Sequence, residues 1–383
     1  MRLPLLSLLL LVPLAPAEEA AELARRLAEQ IAVIEQESAT PVSRAALWQG
    51  AMRGLVAASD PHAAYLSRED LALHGETQRD GFGFAWRTEA GTVRVTRVVR
   101  GGPAAQAGLH AGARLISLDG KTLEDPSTLA RTPDAITLGW VDAFGDAHQT
   151  HLMRAACPDD GIDATTMPEP GILHVRISRF MAATDAGEPW TATFAGMQRM
   201  LSGSAGLRAV VLDLRGNSGG NLQAAVEIAG GWLSPNQAVI EQVGRHPGRN
   251  RIWRANPPRL PDVPVVVLID GETASAAEVL AHALRRVRGS PLVGMPSHGK
   301  WSVQQLFLLP QDEACLLTVA QLHAPGGGPL DRPLTPDALV QQERAACWQR
   351  WQAEAAGIRP LPSDPVLDRG VELARGLIRA NNH

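Results

Sequence analysis

Apolar residues recur at helical spacing early in the chain, at Leu23, Leu27, Ile31 and Ile34 and again at Trp48, Met52 and Leu55, which predicts a helical segment over residues 18 to about 75. Such stripes serve either packing within the chain or a homodimer contact through these helices. From Gly81 the period changes to two, and "GFGFAWR" and "TVRVTRVV" read as short strands. A passage rich in Pro and Asp, Pro158 to Pro170, reads as a linker. Beyond it, apolar runs alternate with helical patterns: "ILHVRIS", a helix through Met200, "AVVLDLR", a helix from Asn221 to Trp232, "VPVVVLID", a helix from Ser275 to Arg286, then "PLVG" and "SVQQLFLL". Strand and helix in alternation predict a largely parallel sheet with helices on its faces. After Asp337 a helical tail closes the chain. The expected class is therefore α/β and multidomain. A mixed or parallel-sheet core spans 165–345, preceded by the helical segment (18–77) and a small inserted strand domain (78–152), and followed by the tail (346–383).

The first residues, "MRLPLLSLLLLVPLAPAEEA", hold one Arg, an apolar run from Leu3 to Leu14 and the A-x-A pattern of Ala15, Pro16 and Ala17. This reads as a secretory signal peptide over 1–17, with an uncleaved anchor as the alternative. An exported, periplasmic protein beginning near Glu18 is expected. The 383 residues leave room for two or three domains, and 45% hydrophobic with 20% charged residues is ordinary for a soluble chain. A formal net charge of −4 without long charged blocks argues against nucleic acid as a partner. The stretch Arg245 to Arg259 reads as a solvated loop. Cys157, Cys315 and Cys347 are too few for a disulfide scaffold and lack metal-ligand spacing, and which of them pair, if any, is unreadable. No metal or cofactor is implied.

Two serines qualify as nucleophiles. Ser218 lies in a literal G-x-S-x-G, Gly216 to Gly220, after an apolar strand, the context of a nucleophile elbow; His246, His282, His298 and His323 are available as its partner. Ser275 follows the strand of "LIDGETASAAEVL" and opens a helix. With Glu278 it also makes an S-x-x-E capping box, in which the hydroxyl would only bond a backbone amide. A helix N-terminus offers unpaired N–H groups as well, which suit a developing oxyanion.

Lysine usage separates the two. Only Lys121 and Lys300 occur, against 34 arginines. A chain that uses Arg nearly everywhere is expected to use it at 300 too, unless that position needs a cation able to give up its proton, which Arg cannot do. A lysine desolvated by apolar neighbours can act as a general base. Lys121, beside the Asp119-Gly120 turn, needs no such explanation. At a period of two, Lys300, Ser302 and Gln304 share a face, so Gln304 can accept a hydrogen bond from the amine.

Two resemblances extend this reading. Gly81-Phe82-Gly83-Phe84, the strands after it, Gly102-Pro103-Ala104-Ala105 through Gly108-Leu109, and "LISLDG" resemble a PDZ domain over about 78–152, a module that captures peptide C-termini by strand addition. The backbone of Gly81, Phe82, Gly83 and Phe84 is then the expected nest for a terminal carboxylate. Ala113 departs from the Asp common in such domains. More broadly, "LVAASDPHAAYL", "DLRGNSGG", "TASAAE", "VGMPSHGKWSVQ" and "LTPDALV", in this order, resemble the carboxy-terminal processing peptidases, or tail-specific proteases. That resemblance implies a Ser-Lys dyad of Ser275 and Lys300, with Gln304 assisting and an oxyanion hole of Ala276 and Gly220, Gly219 being the alternative. It also implies protein substrates with a free C-terminus and leaves room for an adaptor protein. In the family the turn after "DLR" commonly carries proline where Ser218 stands, which implies that the G-x-S-x-G is accidental. His323 and Ala324, the stretch Pro235 to Pro264 and the region Cys347 to Ser363 depart from the family. Three alternatives stay open: an α/β-hydrolase-like esterase using Ser218, a Ser-His protease using His298, and a non-catalytic peptide-binding scaffold.

Overall fold

A computed structural model describes residues 17–381 apart from 69, 72–79, 90, 125–127, 130–133, 158, 184–187, 356–357 and 359–360. The expected signal peptide thus lies almost wholly outside the described residues. The chain divides into two compact units, 1–72 with 305–317 and 73–304 with 318–383. In the first, the helical periodicity becomes α1 (Ala17–Glu37) and α2 (Arg44–Ala57), the latter capped by the Ser43 side chain, which accepts from the Ala46 N–H. The segment is not helical to its end: β1 (Ala64–Leu66) pairs antiparallel with residues 314–316, Tyr65 opposite Cys315. Val56, Tyr65 and Cys315 form a small core, while Leu23, Leu27 and Ile34 stay 59%, 37% and 40% exposed on α1. Among the described residues no helix is long and apolar enough to cross a membrane.

The second unit begins with short strands. β2 (Asp80–Gly81) pairs with β9 (Ala155–Ala156), and between them run β3 (Phe84–Glu89), β4 (Thr92–Val98), helix α3 (Pro103–Gln106), β5 (Arg114–Leu118), β6 (Lys121–Thr122), β7 (Ala135–Val141) and β8 (Ala147–Met153). The sheet order is β3-β4-β5-β7-β8 with β6 on β5, closed over Val95, Leu109, Leu138 and Leu152. In the loop before β3, the Phe82 and Gly83 carbonyls accept from the Ala104 and Val99 N–H groups, Gly83 at φ +78°. Lys121 is exposed, as its place beside a turn predicts.

The α/β core follows: β10 (Ile162–Glu169), β11 (Ile172–Ile177), α4 (Ala192–Gly203), β12 (Ala209–Asp213), α5 (Leu222–Trp232), β13 (Ala238–Gly244), β14 (Arg251–Arg254), β15 (Val265–Ile269), α6 (Ala276–Arg288), β16 (Leu292–Gly294), β17 (Ser302–Leu309), β18 (Glu313–His323), β19 (Ala338–Leu339), α7 (Arg344–Ala355) and α8 (Pro365–Ala380). Its six-stranded sheet runs β10-β11-β12-β15-β16-β19, parallel except for β10. Strands added steadily in one direction by crossovers of one hand put α4, α5 and α6 on the same face. The pleat then divides each strand between two cores. Val210 and Leu212 face α4 to α6, whereas Ala209 and Val211 face Val366, Val371 and Ala374 of α8. The expected tail is thus a layer of the core.

Two sequence readings are corrected. The expected linker, Pro158 to Pro170, contains β10, an eight-residue strand antiparallel to β11. It is an edge strand, where Pro168 at an irregularity of register costs no ladder bond in the sheet interior. The Arg-rich stretch read as a loop contains β14, paired with β13, and Arg251 stacks over Trp253, two residues on, at 3.6 Å from the ring centre. Arginines suit such an edge because they discourage further pairing.

Candidate active site

Three consecutive parallel strands, β12, β15 and β16, end side by side, and each is followed by a loop that carries expected site residues. Ligands of open α/β sheets bind at this carboxyl end. The turn after β12 and the loop after β15 are tied together: the Thr273 hydroxyl donates to the Leu214 carbonyl and the Ala274 N–H to the Asn217 carbonyl, both at 2.9 Å. Asp270 accepts from the N–H groups of Gly216, Glu272 and Thr273 at 3.0 Å each. Burial pushes its carboxyl above the ordinary value, against the opposing pull of the Gly216 N–H. The His298 N–H donates to the Thr273 carbonyl, which brings in the loop after β16.

Ser275 sits at the N-cap of α6 with φ 56° and ψ −119°, a backbone conformation that a residue with a side chain adopts only under constraint. The capping-box arrangement is present, yet its hydroxyl half falls short of a full hydrogen bond, while the Ser275 N–H donates firmly to Glu278 Oε2 at 2.9 Å. The Lys300 N–H donates to the same oxygen at 2.8 Å. The two backbone nitrogens therefore lie within 5.7 Å of each other, the sum of those two distances. Lys300 Nζ donates to Gln304 Oε1 at 2.6 Å, and both side chains are half-buried. The Ser302 hydroxyl, on the residue midway between them in sequence, is buried and has no hydrogen-bond partner among the described residues. Trp301, 2% exposed, anchors the segment by donating from Nε1 to the Arg332 carbonyl.

The turn from Gly216 to Gly220 is fixed by Asn217, fully buried, whose Nδ2 donates to the Ile177 carbonyl and whose Oδ1 accepts from the Gly219 N–H at 2.8 Å. Gly219, at φ +108°, packs directly on the Ser275 corner: an added Cβ would lie 2.9 Å from Ser275 Cβ and 3.1 Å from the Ala276 nitrogen. Gly220 pairs in parallel with Phe180 through its neighbours, since the Phe180 N–H donates to Gly219 and the Asn221 N–H to Phe180. In such a ladder the N–H of the residue between points the other way. Among the described residues nothing accepts from the N–H of Gly220 or of Ala276, the first residue of α6.

Behind the turn lies a buried ionic cluster. Arg215 donates to both oxygens of Asp213 and of Asp364, the N-cap of α8, and all three side chains are at most 2% exposed. Burial would raise Asp213, but the Arg215 guanidinium overrides it and holds the carboxyl well below the carboxylate range. Burial likewise pushes the Cys347 thiol up to about 12. All three cysteines are buried free thiols. Among the described residues no group of three or more His, Cys, Asp or Glu side chains is arranged to hold a metal ion.

The structure thus gathers Ser275, Ala276, Lys300, Gln304, Gly219 and Gly220 at one end of the sheet. Ser218 is exposed on the turn, and no hydrogen bond among the described residues joins it to His246, His282, His298 or His323. Sequence reasoning weighed Glu278 only as a cap and missed Asn217, Asp270 and Arg215. The S-x-x-E spacing was a signal for the first; Asn217 and Asp270 act through backbone contacts, and Arg215 through carboxylates of which one, Asp364, lies far along the chain, and no local pattern announces these.

Comparison with known proteins gives the families that the chain is similar to. Residues 171–340 match the model of peptidase family S41 and residues 94–132 that of the PDZ domain. The chain is 28% identical over 322 residues to the carboxy-terminal-processing protease of Bartonella bacilliformis, covering 77% of this chain and 70% of the relative. It is 28% identical over 280 residues to the carboxyl-terminal-processing protease of Synechocystis, covering 70% of this chain and 64% of the relative. The solved photosystem II D1 C-terminal processing protease superposes with a TM-score of 0.51 at 23% identity, over 88% of this chain and 92% of that one, a likeness of fold.

Proposed function

We propose, from the premise that this chain is a serine peptidase with a family S41 core and a PDZ domain, that it is an exported endopeptidase which cleaves proteins near a free C-terminus through a Ser275-Lys300 dyad. The observation that carries this reading is the contact of Lys300 Nζ with Gln304 Oε1 at 2.6 Å, on a segment whose backbone shares one carboxylate oxygen with Ser275. Gln304 fixes the direction of the amine by accepting a hydrogen bond from it. In its neutral form the amine takes the Ser275 proton as Oγ attacks the scissile carbonyl, and returns it to the leaving amine. Water, deprotonated by the same lysine, then releases the acyl group from Ser275.

The N–H groups of Gly220 and Ala276 receive the oxyanion of the tetrahedral intermediate. Among the described residues both are uncommitted, whereas the Gly219 N–H is held by Asn217, which favours Gly220 of the two glycines. The loop Gly81 to Phe84 holds the substrate's terminal carboxylate on its backbone amides, with the tail added beside β3. The exposed stripe of Leu23, Leu27 and Ile34 on α1 serves a second copy.

Proteolysis of casein by the wild type, Ser275→Ala, Lys300→Arg and Ser218→Ala, each checked for folding, tests the dyad. Ser275→Ala and Lys300→Arg are expected to lose at least about 100-fold in rate, Ser218→Ala to keep it. The Arg variant retains the positive charge and removes only the basicity. Activity in a folded Ser275→Ala would eliminate the assignment.

A further inference from the structure

Glu278 is fully buried, and among the described residues no Arg, Lys or His side chain forms an ion pair with its carboxylate. Burying a lone carboxylate is costly, so the donors around it must offset that cost. There are four. Oε2 accepts from the N–H groups of Ser275 and Lys300 at 2.9 and 2.8 Å, and Oε1 from the Ser297 hydroxyl at 2.5 Å and the Gly299 N–H at 2.7 Å. A helix cap accounts for the first alone. The other three come from the irregular loop after β16, which includes Lys300.

Resting on the dyad reading above, we infer that Glu278 is a positioning residue that locks the backbones of the nucleophile and of its base to one another. Ser275 is held in a strained conformation, and residues 295–301 have no helix or strand to fix them. One carboxylate spans the gap between the two loops. By consuming the Ser275 N–H it also leaves the Ala276 N–H as the first uncommitted amide of α6, next to Gly219. Glu278 reaches no reacting atom; its effect passes through Ser275 and Lys300.

Glu278→Asp separates bridging from capping. It keeps the charge and a residue able to cap α6, but is shorter by one carbon–carbon bond, about 1.5 Å, and cannot serve both loops at once. With the full chain and labelled casein, kcat per folded molecule is expected to fall at least about 30-fold with KM within about threefold, because misplaced groups lose rate rather than binding. The urea midpoint is expected to fall as well, because buried donors lose their acceptor, so the loss in kcat is read per folded molecule. A kcat within about threefold of wild type, or a loss explained by the unfolded fraction, overturns the inference. If the Asp variant does not fold, Ser297→Ala decides, because it removes one donor from the same carboxylate: a fall of about fivefold or more in kcat at unchanged KM supports the bridge, and an unchanged kcat overturns it. Ser275→Ala and Lys300→Arg run in parallel. If either is active the dyad reading has failed, whereas if both are inactive and Glu278→Asp is active only the role of Glu278 has.

Discussion

Gly219→Ala places a methyl group against the least yielding part of the site. The added carbon would lie 2.9 Å from Ser275 Cβ, 3.0 Å from the Ala274 carbonyl oxygen and 3.1 Å from the Ala276 nitrogen, with Gly219 itself at φ +108°. None of these atoms is the tip of a flexible side chain, so the turn and the Ser275 corner must separate. The positive φ costs about 1–3 kcal/mol, and the forced contacts add to it. The catalytic effect is expected to exceed the loss of stability. Moving Ser275 and Ala276 by a fraction of an ångström from Gly220 disturbs attack geometry and oxyanion donors together, for at least about 100-fold in kcat. Gly216→Ala is the control: its φ is also positive, +73°, but an added Cβ meets nothing within 4 Å. It should cost about 1–2 kcal/mol and leave kcat within about threefold. Casein turnover per folded molecule, with urea unfolding of both variants, measures the contrast. A folded Gly219→Ala with wild-type kcat, or a Gly216→Ala that is equally damaged, would refute the reasoning.

Two further predictions concern stability. Arg215→Ala leaves Asp213 and Asp364 buried without their cation, which should cost about 3–5 kcal/mol in urea unfolding at neutral pH, with Arg215→Lys recovering part of it. Asp213 is depressed in the folded state, so its contribution is complete above the unfolded carboxylate value of about 3.9 and is lost only in stronger acid. His282 shifts in the same direction but in a milder range of pH: burial, with Arg286 and Arg285 nearby, lowers it to about 4 from 6.5. Between those values the unfolded chain binds the proton more readily, so stability falls as pH drops from 6.5 toward 4, by about 1–2 kcal/mol after allowance for partial exposure. Urea midpoints at pH about 7 and about 5 should show that loss in the wild type and its absence in His282→Leu; equal losses in both would contradict the assignment.

Much of this architecture was legible because it rests on local pattern. The short apolar runs of β12 and β15, alternating with helical patterns, read as buried strands, and the two-residue pleat placed Gln304 where Lys300 could reach it. The rarity of lysine singles out position 300 on the sequence alone. What escaped the sequence depends on partners distant along the chain. β10 carries proline and acidic residues that suit a linker, and only its place at the sheet edge makes it a strand. The proposed preference for Gly220 over Gly219 rests on the Asn217 side chain, which takes up the Gly219 amide. Glu278 looked like a cap because three of its four donors lie nineteen to twenty-two residues downstream.

The most direct measurement is the site and rate of covalent labelling by a fluorophosphonate, read by peptide mass spectrometry on the wild type and Lys300→Arg. The adduct is expected on Ser275, forming at least about 100-fold more slowly when Lys300 becomes Arg. An adduct on Ser218, or labelling of the Arg variant at the wild-type rate, would contradict the account.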